Sequence, residues 1–123
     1  MIAGTVTADL EAVVRLTVVG GDERREHIRA VIDTGFSGSL TLPSPLVAAL
    51  DLVWVCRQPG TLADGRTELF DVYQAVAIWD GVARTIEVEA SNSDPLLGMA
   101  LPAGHDLRAR VAPGGRVEIE AIP

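Results

Sequence analysis

The residues whose types and spacing suit chemistry are Asp33, Thr34, Gly35, Phe36, Ser37 and Gly38. They follow Ala30-Val31-Ile32, three apolar residues that read as the end of a buried strand. An ionised carboxylate there is costly unless hydrogen-bond donors surround it. Thr34, Gly35 and Ser37 are the candidate donors. Gly35 and Gly38 allow backbone angles and close approaches that a side chain forbids. An acid held rigidly in such a turn is suited to proton transfer with a bound water.

The other reactive side chains offer less. Cys56 lies between Val55 and Arg57 in an apolar strand pattern and reads as a core or interface thiol. Being the single cysteine, it leaves no intramolecular disulfide to form. His27 and His105 are far apart, each beside an acid (Glu26 and Asp106), and read as surface histidines. No metal-ligand spacing occurs, so neither a metal nor another cofactor is expected. Trp54 and Trp79 fall in strand patterns and read as core or interface residues. Asp94 precedes Pro95 and reads as a turn residue, with no Thr-Gly behind it to make a second reactive acid.

Composition narrows the setting. The 123 residues suit one domain, 1–123. With 48% hydrophobic and 22% charged residues the chain is globular rather than disordered. Aromatics are only 4%, so the core must be built from Val, Leu, Ile and Ala, and the abundant valine favours strands. The net charge of −7 and the absence of a basic run argue against nucleic acid and anionic membranes as partners. With no membrane-spanning stretch and no leader pattern, a soluble cytoplasmic protein is expected.

The elements that must position Asp33 follow from periodicity and turn residues. Ile2 to Thr7 and Ala12 to Val19 read as strands, Gly20-Gly21-Asp22 as a turn, and Glu26 to Ile32 as the strand delivering Asp33. Leu40 to Leu42 is a short strand. Ser44 is a candidate N-cap for a helix over Pro45 to Leu50, with Leu46, Val47 and Leu50 on one face. Strands from Val53 to Thr61 and from Thr67 to Trp79 flank the turn Ala63-Asp64-Gly65-Arg66, and Asp80-Gly81 makes a second hairpin into Arg84 to Ala90. Leu96-Leu97-Gly98 precedes a possible helical turn at Met99 to Leu101, which Pro102 and Gly104 end. Leu107 to Val111 and Arg116 to Ile122 are the last strands. Many short strands with one or two short helices predict an all-β barrel or sandwich.

Three features stand in order: Asp33-Thr34-Gly35 after an apolar strand, a hairpin tipped by Asp64-Gly65, and Leu96-Leu97-Gly98. In this the chain resembles the retropepsin-like aspartic proteases, closest to single-domain prokaryotic members with an Asp-Thr-Gly-Phe motif. The resemblance spans about Ala12 to Ile122. It implies a closed β-barrel or sandwich functional as a homodimer, with peptide or protein substrates. Each subunit would supply one catalytic Asp33, and the two carboxylates, about 3 Å apart, would share one proton and activate a water. Thr34, Gly35 and Ser37 would support the loop, Thr34 by a hydrogen bond across the dimer axis. The Asp64-Gly65 hairpin would be a flap over the substrate. Leu96, Leu97 and Gly98 would back the Asp33 loop. Phe36 stands where pepsins and retroviral enzymes carry a small residue, so it would line a specificity pocket or partly fill the cleft. That departure, with a flap poorer in glycine, keeps open a silent dimerisation or peptide-binding module. On the residues alone, Asp64-Gly65 also fits an ordinary hairpin turn and Leu96-Leu97-Gly98 plain core.

Overall fold

Alternation of buried apolar and outward-facing residues runs through the middle of the central strands. In β2 (Ala12–Val19), Val14, Leu16 and Val18 are buried and Arg15 is exposed; in β3 (Arg25–Ile32), Ile28 and Ala30 are buried and Arg29 is exposed. A computed structural model describes all residues, Met1–Pro123. Its other elements are β1 (Ile2–Val6), β4 (Leu40–Pro43), α1 (Ser44–Ala49), β5 (Val53–Thr61), β6 (Thr67–Trp79), β7 (Val82–Ser91), β8 (Leu96–Leu97), β9 (His105–Ala109) and β10 (Arg116–Ala121), with a 3-10 turn at Gly21–Glu23.

The strands form one sheet in the order β5-β6-β7-β4-β8-β3-β2-β1-β10-β9. A second pairing, β2 with β6 through Thr17↔Ile78 to Val19↔Val76, bends β2, β3, β8, β4, β7 and β6 into a ring. The all-β expectation holds, but the ring is only partly closed: β5 and β9 remain free edges. The ring holds a Val/Leu core, including the fully buried Val18, Ala30, Leu40, Leu42, Val88 and Leu97, with Trp79 as its one large aromatic. Burying each of these valine and leucine side chains contributes about 1.5–3 kcal/mol.

Two hairpins follow their turn residues. Asp80 (φ 50°) and Gly81 (φ 80°) both sit in the left-handed region, the conformation that a two-residue turn needs to match strand twist. At the β5–β6 tip the Gly65 amide donates to the Leu62 carbonyl (2.9 Å), and Gly65 takes φ 87°.

Three local expectations are corrected. The helix begins at Ser44 with Pro43 as its cap and no side-chain cap, because β4 runs straight into α1 and Pro43 is extended (ψ 142°). Met99 to Leu101 forms no helix: the Met99 and Ala100 amides are drawn to the carbonyls of Phe36 and Gly38. The strand expected at Leu107 to Val111 lies two residues earlier, from His105 to Ala109, paired with β10. No helix is long and apolar enough to cross a membrane.

Candidate active site

Asp33 is placed where β3 leaves the sheet. β8 lies between β3 and β4, parallel to the first (Val31↔Leu96, Ile32↔Leu97) and antiparallel to the second (Leu40↔Leu97, Thr41↔Leu96). The Asp33 amide donates to the Leu97 carbonyl at 2.9 Å, the last bond before the chain turns. The loop then folds on itself. The Gly35 amide donates to Asp33 Oδ1 (2.9 Å), and the Phe36 amide to the Asp33 carbonyl (3.2 Å). This is the local turn that Asp favours because its short side chain mimics a backbone acceptor.

A second set of bonds ties the far side of the loop to the segment after β8. The Gly98 amide donates to Ser39 (3.0 Å), Met99 to Phe36 (2.8 Å) and Ala100 to Gly38 (3.1 Å), each to a backbone carbonyl. Gly98 is required here by space. A Cβ on Gly98 would overlap the Gly38 carbonyl oxygen and come within 2.6 Å of the Phe36 ring. A Cβ on Gly38 would meet the same ring at 2.6 Å. The half-buried Phe36 ring therefore rests on the two glycines. Leu97 beneath them is fully buried.

Thr41 is the residue that sequence reasoning missed. Its hydroxyl, 7% exposed on β4, accepts the Leu96 amide (3.0 Å). β8 has only two residues, so this side-chain acceptor satisfies a part-buried donor that has no strand partner. A lone Thr between two leucines carries only the signal of a polar residue in an apolar strand.

The donor set expected around Asp33 is smaller than its sequence suggested. Gly35 supplies an amide, but the hydroxyls of Thr34 and Ser37 make no hydrogen bond within the chain. Asp33 is half-buried and Thr34, Gly35 and Ser37 are less covered still, so solvent replaces the missing donors and the isolated carboxylate needs no tighter cage. Asp33 Oδ2 and the Thr34 hydroxyl are left without intrachain partners.

The Asp64–Gly65 tip bonds only within its own hairpin. Asp64 accepts the Arg66 amide on Oδ1 (3.0 Å) and the Arg66 guanidinium on Oδ2 (2.6 Å). No hydrogen bond or ion pair joins this tip to the Asp33 loop. Lower in the hairpin, Trp54 is 55% exposed, which removes the core half of its core-or-interface reading. Its indole N–H (3.1 Å) and the Arg57 guanidinium (3.2 Å) both donate to Asp71 Oδ1. The indole first, then the guanidinium, hold the Asp71 carboxyl below its usual range. Cys56 is half-buried beside a bulge in β5, where the pairing slips between Trp54 and Cys56. Trp79 is buried as expected. Its indole donates to His105 Nε2 (3.3 Å), so His105 is half-buried against the core rather than simply surface-borne, whereas His27 is exposed and pairs with Thr17 (2.9 Å).

Two surface clefts lie away from Asp33. One, about 290 Å³, opens between α1 and the Tyr73 and Ala90 side chains; the other, about 350 Å³, lies over β1, β2 and β3. No group of three or more His, Cys, Asp or Glu residues converges as a metal site. No protein-family model matches the chain, and no curated protein matches it.

Proposed function

We propose that the protein is a retropepsin-like aspartic endopeptidase that works as a homodimer. One observation carries this reading: Asp33-Thr34-Gly35 leaves the sheet beside Leu96-Leu97-Gly98, and four backbone hydrogen bonds lace the loop from Asp33 to Ser39 to the segment from Leu97 to Ala100. A carboxylate on so fixed a loop is preorganised, which is what proton transfer to and from a bound water requires. One chain supplies one such acid, and an aspartic mechanism needs two sharing a proton. Twofold pairing of identical chains brings the second. The unpartnered Asp33 Oδ2 and Thr34 hydroxyl are then available to the other subunit. One Asp33 acts as base toward the water, and its protonated twin donates to the peptide carbonyl oxygen. The Asp64–Gly65 hairpin serves as the flap, and Phe36 bounds the site from the loop side.

The test is Asp33→Asn. Cleavage of a peptide library by the wild-type protein should be blocked by an aspartic-protease inhibitor and should fall by about 10²–10⁴-fold or more in the variant. Full activity in Asp33→Asn excludes the reading. A second reading, a peptide-binding module without cleavage, draws on β5: it is a free edge strand, and Val53, Trp54 and Val55 on it are exposed. Such an edge can accept an added strand. Peptide binding with no hydrolysis in either protein would select it.

A further inference from the structure

Arg15 and Arg29 face each other directly across β2 and β3. Both are exposed, and neither has an acidic partner. Elsewhere the guanidinium groups are largely engaged: Arg57 with Asp71, Arg66 with Asp64, Arg108 with Glu118 and Glu120, Arg116 with Glu118, and Arg24 and Arg84 with the carbonyls of Ala49 and Leu101. Like charges placed opposite one another on a sheet destabilise it. In a chain of net charge −7 with 17 acidic residues, an unneutralised pair of this kind is an uncompensated cost. On the β1 side of the pair, Glu118 of β10 pairs with Ala3 and is already taken by Arg108 and Arg116.

The two arginines line the cleft of about 350 Å³ over β1 to β3, together with Thr5, Thr7 and Val13. Two planar guanidinium forks, the Thr5 hydroxyl (that of Thr7 already accepts the Glu11 amide) and an apolar wall form a receptor for a carboxylate. Arg29 and Val31 have the same parity along β3, the parity opposite to buried Ile28 and Ala30, and Asp33 is the first residue past the end of that strand. Asp33 is four positions beyond Arg29, about 13 Å at 3.3 Å per residue. An extended peptide crossing Asp33 along this strand covers the same length in four residues. We propose that Arg15 and Arg29 form a subsite that binds a Glu or Asp side chain of the substrate about four residues from the cleaved bond, so that the protein prefers acidic peptides. This rests on the proteolytic reading above for the word substrate, but binding can be measured without it.

The probe is a fluorescein-labelled peptide containing two adjacent glutamates, with Gln-for-Glu and Lys-for-Glu versions as controls, bound to the Asp33→Asn protein and read by anisotropy. The Glu peptide should bind at least tenfold more tightly than either control, despite the protein's negative charge, and should weaken with added salt. Arg15→Gln with Arg29→Gln should remove that tenfold difference. Arg110→Gln, an exposed arginine outside the cleft, should leave it within twofold. The double variant removes a repulsive pair, so its melting temperature should be unchanged or higher, which separates lost binding from lost fold. Equal binding of Glu and Gln peptides, or an undiminished preference in the double variant, overturns the subsite. Free phosphate displacing the peptide at lower concentration than acetate also overturns it, because the cleft would then be a phosphate site. Loss of cleavage by the wild-type protein, with arginine-dependent Glu binding intact, refutes the proteolytic reading alone.

Discussion

The Asp33 amide donates to the Leu97 carbonyl at 2.9 Å, although 64 positions separate the two in the chain. Through that bond the carboxylate is set by a two-residue strand threaded between β3 and β4, not by its own loop alone. The stability of β8 and the geometry of Asp33 are therefore one property, and substitutions behind the loop should register at the acid.

Gly98→Ala is the sharpest probe of this coupling. The added methyl overlaps the Gly38 carbonyl and crowds the Phe36 ring, and both neighbours are held in place by hydrogen bonds. Overpacking of this kind costs about 1–3 kcal/mol. Urea unfolding should show that loss, and any peptide hydrolysis should fall further than the drop in folded protein explains.

Thr41→Val keeps the shape of the side chain and deletes the acceptor of the Leu96 amide. A fully buried, unpaired N–H costs about 1–3 kcal/mol, and Leu96 is only half-buried, so the loss falls at the low end of that range. Thr41→Ser keeps the acceptor and should lose less. Denaturant midpoints of the two variants check the order, and hydrogen exchange at Leu96 should speed up only in Thr41→Val.

Phe36→Ala removes a half-buried ring that rests on Gly38 and Gly98. A partly exposed aromatic costs less than a core one, so the expected loss is about 1–3 kcal/mol. Greater backbone mobility from residue 34 to 38, measured by NMR relaxation, should accompany it.

Asp71 should titrate below 3.8, because the Trp54 indole and Arg57 stabilise its ionised form. A carboxyl lowered on folding adds stability that is present above its unfolded pKa of 3.8 and is lost as pH falls through the lower folded value. A carboxyl-detected NMR titration should place the midpoint below that of Asp71 in the Trp54→Phe variant. The lower half of the β5–β6 hairpin should loosen only in that acid range.

Dimer-dependent catalysis predicts that specific activity falls on dilution, in step with the dimer fraction seen by analytical ultracentrifugation. Constant specific activity at concentrations where only single chains remain contradicts the paired Asp33 mechanism.

Much of the fold could be read from short-range pattern. Val14, Leu16 and Val18 alternate with Arg15 and Thr17, which sets β2, and Asp80-Gly81 and Asp64-Gly65 carry the turn residues of their hairpins. Asp33-Thr34-Gly35 after an apolar run marked the candidate acid, because a carboxylate ending a strand in a glycine turn is a local feature. Periods of two and glycine turns need no distant partner to be recognised.

Tertiary structure decided the rest. Only the threading of β8 between β3 and β4 explains why Gly98 must lack a side chain, why Thr41 is buried with a hydroxyl, and where the Phe36 ring lies. Only the β2–β3 register sets Arg15 against Arg29, since a slip of one residue would send both side chains to the other face. Local composition determines what each segment becomes. Which segments meet, and at which register, is settled by closing one sheet around a shared core.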